Sequence, residues 1–172
     1  MSKAKLKKEL ANMTAEQLRE MILDAYDAAP EIKEYFEYFM NPDEDKLMQH
    51  FFEFVKKEIH RVKRVHCKAR VGVVKRELKK LKGFGVSYAN LTKAYLVIII
   101  NIGIADKFSY LTDAHRNFVD YCTEQALCLA DEAGQYSELL ERINQHVMNS
   151  NFPTFDIKER CRQAIQNHKE KL

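Results

Sequence analysis

The sequence predicts an all-α protein. Three observations carry that expectation: 172 residues hold only five Gly and three Pro, apolar residues recur at helical spacing, and helix-start signals follow one another closely. An all-β chain needs a turn signal every ten residues or so, which this composition cannot supply. Apolar residues at 46% and charged residues at 31% exclude collagen-like, low-complexity and disordered classes. The length suits one domain spanning 1–172. Such a domain buries about 70% of the surface of its unfolded chain and needs no disulfide or metal to fold.

About eight helices are expected. Leu6 and Leu10 give a first short amphipathic piece. Thr14-Ala15-Glu16-Gln17 is a capping box, ahead of a stripe formed by Leu18, Met21, Ile22 and Tyr26. Pro30 fits the start of the next helix, whose apolar face is Ile32, Tyr35, Phe36 and Phe39. Asn41-Pro42-Asp43-Glu44 is the clearest start signal, with a cap, a first-turn proline and acids at the positive end of the helix dipole. Behind it Leu47, Met48, Phe51, Phe52, Val55, Ile59 and Val62 fall on one arc, opposite Lys56, Lys57, His60, Arg61, Lys63 and Arg64.

A second basic helix is expected over 71–82, with Val71, Val74, Leu78 and Leu81 as its seam and Lys75, Arg76, Lys79, Lys80 and Lys82 facing away. Gly83-Phe84-Gly85 ends it. The apolar run Ala94–Ile104 lies in a helix over 87–104 that is buried on most faces. It is too short to span a bilayer, which takes about 20 residues. Helices over 113–133 and 135–149 follow, and Asp156-Ile157-Lys158-Glu159 opens the last. The pairs 71–82 with 87–104 and 113–133 with 135–149 read as successive hairpins. An irregular bundle and a short α-solenoid of helical hairpins both accommodate them.

The charged N-terminus, Met1 to Glu9, lacks the apolar core of a secretory signal, so a cytoplasmic protein with reduced Cys67, Cys122, Cys128 and Cys161 packed as core thiols is expected. Charge is unevenly spread: residues 1–55 carry a net −5, residues 56–82 a net +10 and residues 83–172 a net −2.

Several of these residues also carry a family resemblance. The Lys-rich start through Glu9-Leu10, then Leu18, Tyr26, Tyr35-Phe36, Phe39, Asn41-Pro42, Glu44-Asp45-Lys46-Leu47 and Lys68-Ala69-Arg70 resemble a bacterial family of helical proteins, domain of unknown function 6155. The resemblance covers the first half of the chain. It implies a bacterial, cytoplasmic, all-α protein and brings no activity, cofactor or catalytic residue with it.

No catalytic or cofactor constellation stands out. His50, His60, His66, His115, His146 and His168 include no i, i+4 pair and none preceded by Glu at three residues, so the helical zinc and di-iron patterns are missing. There is no nucleophile elbow. Gly83-Phe84-Gly85 lacks the third Gly and the preceding strand of a dinucleotide site. His115 with Asp113, Asp120, Glu124, Asp131, Glu132 and Tyr121 is the one set from which acid–base chemistry could be built.

The basic stretch is the feature above background. Lys56, Lys57, Arg61, Lys63, Arg64, Lys68, Arg70, Lys75, Arg76, Lys79 and Lys80 form one anion-binding patch if their helices lie side by side. A patch of this kind neutralises phosphates and releases counterions. It also suits an acidic protein partner, an anionic membrane surface, or the chain's own acidic segment. The expectation is therefore a non-enzymatic adaptor or scaffold, without cofactor, metal or membrane span, whose partner is a protein or a polyanion. Sequence-independent nucleic-acid binding is the alternative, and an enzyme built around His115 a more distant one.

Overall fold

The computed structural model describes residues 2–63, 66–67, 69–106, 111–151 and 156–171, with backbone alone for 62–63 and 66–67. The protein is all-α. Its described chain forms two compact units, one up to Asp43 and one from Glu44 onward.

The first unit holds α1 (Lys3–Leu10), α2 (Ala15–Ala28) and α3 (Pro30–Met40). Ser2 caps α1 by accepting the Lys5 N–H at 3.3 Å. The capping box of α2 is complete: the Gln17 N–H donates to the Thr14 hydroxyl at 3.2 Å and the Thr14 N–H to Gln17 Oε1 at 2.9 Å. Pro30 opens α3, whose Phe36 lies 6.4 Å from Tyr26 of α2 between ring centres. None of the residues of these three helices is buried. Ile22, Leu23, Phe39 and Met40 are exposed, so part of the aromatic and apolar content of this segment lies outside any core.

The second unit holds α4 (Glu44–Ile59), α5 (Val71–Gly83), α6 (Tyr88–Ala105), α7 (Asp113–Glu132), α8 (Tyr136–Ile143), a π-helical turn (Asn144–Met148) and α9 (Asp156–Lys169). Between α4 and α5 a two-residue antiparallel pair, β1 (Val62–Lys63) with β2 (His66–Cys67), reverses the chain. The helix expected to run through Val62 therefore stops at Ile59. Its end is set by partners distant in sequence: the Glu58 carbonyl accepts the Arg70 N–H at 3.1 Å, and His60 Nε2 meets Asn101 Oδ1 of α6 at 2.9 Å. At the other end α4 starts at Glu44, so Pro42 precedes the helix instead of filling its first turn. Gly85 and Gly134, at φ +71° and +66°, follow α5 and α7 in the left-handed conformation that only glycine adopts without strain.

Helix α6 is the centre of the unit. It packs against α7 on one side and α4 on another, with the π-helical turn on its flank, while α7 carries α9 and touches α5 and α8. Contacts also skip along the chain, from α4 past α5 to α6 and from α9 past α8 to α7, a pattern that an irregular bundle and a short stack of helical hairpins both allow. Tyr95, Ile98, Ile99 and Ile102 of α6 pack with Val55 and Ile59 of α4, Phe118 and Leu127 of α7, Ile143 of α8 and Ile157 of α9 in one core. At 18 residues α6 is long and apolar enough to cross a membrane. Here ten of its residues are buried inside the protein.

The start of α6 is tied to the start of α4. Glu44 Oε1 accepts from the Ser87 N–H at 2.8 Å, the Ser87 hydroxyl at 2.6 Å and Asn90 Nδ2 at 2.9 Å. Partial burial raises the Glu44 carboxyl, and the Ser87 and Asn90 hydrogen bonds outweigh it, leaving it below its ordinary value.

Candidate functional site

The eleven cations singled out by sequence divide into groups. Lys56 and Lys57 lie on the exposed side of α4, Arg61 just beyond its end, and Arg76 and Lys79 on the exposed side of α5. None of the five has an ion-pair partner among the described residues. Arg64, Lys68 and the side chain of Lys63 lie outside the described residues.

Arg70 and Lys80 are engaged. Arg70 reaches the nearly buried carboxylate of Glu58 with Nε and Nη2, each 2.5 Å from Oε2. Lys80 lies 4.0 Å from Glu77 one turn earlier. Both acids of the basic stretch are therefore taken up by neighbouring cations.

Lys75 and Lys82 do not face away from the seam. Lys75 Nζ stands over the Phe118 ring at 4.8 Å, and Lys82 Nζ over Tyr95 at 5.4 Å and Tyr121 at 5.9 Å. Lys82 also donates to Gln125 Oε1 at 3.3 Å. The signal for this was present in the spacing. At 100° per residue Lys75 and Lys82 lie about 60° and about 40° from Leu78 on the same side of the wheel, next to the apolar arc and not opposite it.

With Lys79 and Leu78 they form the α5 wall of a groove of about 390 Å³, whose α7 wall is Phe118 and Tyr121. Those two rings are stacked, 6.3 Å between centres and 16° between planes. Phe118 is fully buried, whereas Tyr121 is 43% exposed. Tyr95 closes on Tyr121 edge-on at 6.3 Å. The Tyr95 hydroxyl is buried beside Tyr121. Its burial, reinforced by Tyr121, pushes the phenol far above its ordinary value.

The set around His115 is not brought together. His115 Nδ1 accepts the Thr112 N–H at 3.2 Å and lies 2.7 Å from the Thr112 hydroxyl, closing the N-terminus of α7. Asp120 pairs with Arg160 at 2.7 Å, Asp113 with Arg116 at 3.3 Å and Asp131 with His168. Glu124 and Glu132 are exposed. Asp131 stands 16 residues along the same helix from His115, about 24 Å away. Among the described residues no group of three or more His, Cys, Asp or Glu is placed to hold a metal ion.

The cysteines depart from the expectation of uniform core packing. Cys122 and Cys161 are buried, Cys128 is exposed, and the side chain of Cys67 lies outside the described residues. Burial pushes the Cys122 thiol well above its usual range and Cys161 up to about 11. The thiolate is the reactive form, so neither is set up as a nucleophile.

A family model matches residues 1–152, from α1 through the π-helical turn. The chain belongs to the family of unknown function DUF6155. The match extends the first-half resemblance across α6 and α7, so α4 to α8 and both walls of the groove fall within the DUF6155 region, and α9 lies beyond it. No curated protein and no solved structure matches the chain.

Proposed function

We propose that this protein works by binding and not by catalysis, as an adaptor or scaffold that takes an acidic partner on the lysine-rich side of α4 and α5. One observation carries the reading: Lys56, Lys57, Arg61, Arg76 and Lys79 are exposed with no carboxylate paired to them among the described residues. The acids nearest in sequence, Glu58 and Glu77, are already engaged by Arg70 and Lys80. An uncompensated row of cations creates a positive potential that speeds encounter with an acidic surface and favours it over neutral ones.

The same cations support sequence-independent nucleic-acid binding as a second reading, because phosphate contacts require charge and reach but no base-reading motif. Fluorescence anisotropy separates the two. The probes are a labelled generic duplex, a labelled single strand and labelled polyglutamate, each at low and near-physiological salt. Polyglutamate binding that is lost in the double charge reversal Lys57→Glu with Arg76→Glu supports the acidic-partner reading. Duplex or single-strand binding that falls steeply with salt and is lost in the same variant supports the second. Binding of none of the three at low salt, or binding unchanged by the reversal, overturns both.

A further inference from the structure

The groove between α5 and α7 combines features that the exposed cations further out on α4 and α5 lack. Lys75, Lys79 and Lys82 stand at i, i+4 and i+7 on one wall, so three lysines line about 390 Å³ of space. No carboxylate among the described residues pairs with any of them. The rest of the lining is apolar: Leu78, Phe118 and the half-exposed Tyr121. Small-molecule sites are concave, span roughly 300–1,000 Å³ and combine an apolar lining with a few convergent polar groups.

The geometry points to a ligand site in this groove for a planar aromatic anion. The acid group, a carboxylate or a phosphate monoester, is held by Lys79 and Lys82, and the ring packs on Tyr121. Lys75 covers the buried Phe118 ring and Lys82 stands over Tyr121, so an aromatic occupant packs on the part of the Tyr121 side chain that stays exposed. An inorganic anion would use the lysines without the rings. An uncharged aromatic would use the rings while leaving three like charges uncompensated.

Isothermal titration of the full chain tests this with adenosine monophosphate and 1-naphthoate as the aromatic anions, and with inorganic phosphate and adenosine as the separated halves. At least one of the two anions should bind about tenfold or more tightly than either half. Lys82→Gln and Tyr121→Ala should each weaken it by about tenfold, while Arg76→Gln, on the outer side of α5, leaves it unchanged. Lys79→Gln, at an exposed position, serves as the groove variant if either of the others lowers the melting temperature. Absence of binding by both anions up to millimolar concentration overturns the site, as does binding indifferent to all three groove variants. Because Arg76→Gln bears on the outer cations and Tyr121→Ala on the groove, the site can fail while the acidic-partner reading stands, and the converse also holds.

Discussion

Arg70 and Glu58 hold the two ends of the α4–α5 connection together. The guanidinium meets one carboxylate oxygen with both Nε and Nη2 at 2.5 Å, and the two residues also share a backbone hydrogen bond at 3.1 Å. Glu58 is only 5% exposed at its side chain while Arg70 is 41% exposed, so the cation brings compensation from the surface to an acid that cannot reach water. Removing it leaves a buried carboxylate without its partner, which costs more than the pair contributes when intact. Arg70→Ala should therefore destabilise the protein by about 2 kcal/mol, a figure discounted for the partial exposure of Arg70. Arg76→Ala on the open side of α5 should change stability by less than about 0.5 kcal/mol. Urea unfolding followed by circular dichroism checks both. Equal effects would place Arg70 with the free surface cations.

The N-terminus of α9 gives a pH prediction. Asp156 accepts from Arg116 of α7 at 2.6 Å and from Arg160 at 3.1 Å, and Arg160 also reaches Asp120 at 2.7 Å. Burial raises the Asp156 carboxyl, and the Arg116 hydrogen bond together with the Arg160 charge outweigh it, holding it below its ordinary value of 3.8. The folded value lies below the unfolded one, so the carboxylate contributes its full stabilisation above the unfolded value and loses it as pH falls through the folded one. Asp156→Asn should lower the melting temperature at pH 6. The gap to the natural protein should close as pH drops below about 4. A gap that stays constant from pH 6 to pH 2.5 would show that the charge of Asp156 contributes nothing to holding α9 on α7.

Where the fold was legible in the sequence, the information was local. Thr14 and Gln17 close a reciprocal cap within one turn, and Ser87 caps α6 through the Asn90 N–H at 3.4 Å. Val74, Leu78 and Leu81 all lie in the core. Where expectation and structure part, the deciding group is far away along the chain. No Gly or Pro marks the stop after Ile59, and the residues that set it are Arg70 and Asn101. Asp131 looks like an ordinary acid near a helix end, yet it pairs with His168, whose ring in turn stacks on Tyr136 at 5.7 Å. Charge density announced a basic surface in 56–82, but which cations are spent depends on Glu58, Phe118 and Tyr121, and two of these lie on another helix. The groove was half legible. The wheel places Lys75 and Lys82 beside Leu78, while the aromatic wall opposite is known only once α5 and α7 are packed.

Thiol reactivity should follow burial. Cys128 is exposed, whereas Cys122 and Cys161 lie in the core with their thiols pushed up, Cys161 to about 11. Alkylation by a maleimide at pH 7.5, mapped by peptide mass spectrometry, should modify Cys128 within minutes. Cys122 and Cys161 should react only after denaturant is added. Labelling of Cys161 in the native protein at a rate like that of Cys128 would mean that α9 lifts from α7 readily, in conflict with the Arg116–Asp156 and Arg160–Asp120 pairs.

The two units should differ in local stability. Helices α1, α2 and α3 bury none of their residues, whereas α6 buries ten and α7 seven. Backbone hydrogen bonds in a helix of 8, 14 or 11 residues gain little from helix propensity alone, because isolated helices shorter than about 12–15 residues are marginal in water. What protects an amide from exchange is the free energy of the opening that exposes it, and few buried contacts mean a small one. Amides of residues 3–40 should therefore exchange within seconds to minutes, and those of Ile98, Ile99, Ile102, Val119 and Cys122 over hours, in hydrogen–deuterium exchange at neutral pH. Within the first unit the capping box gives an internal control. Thr14→Ala removes the hydroxyl that accepts the Gln17 N–H, at a cost of about 1 kcal/mol. It should accelerate exchange across α2 and leave α6 unchanged. Protection of α2 and α3 equal to that of α6 in the isolated protein would show that these helices are held by contacts stronger than their exposure indicates.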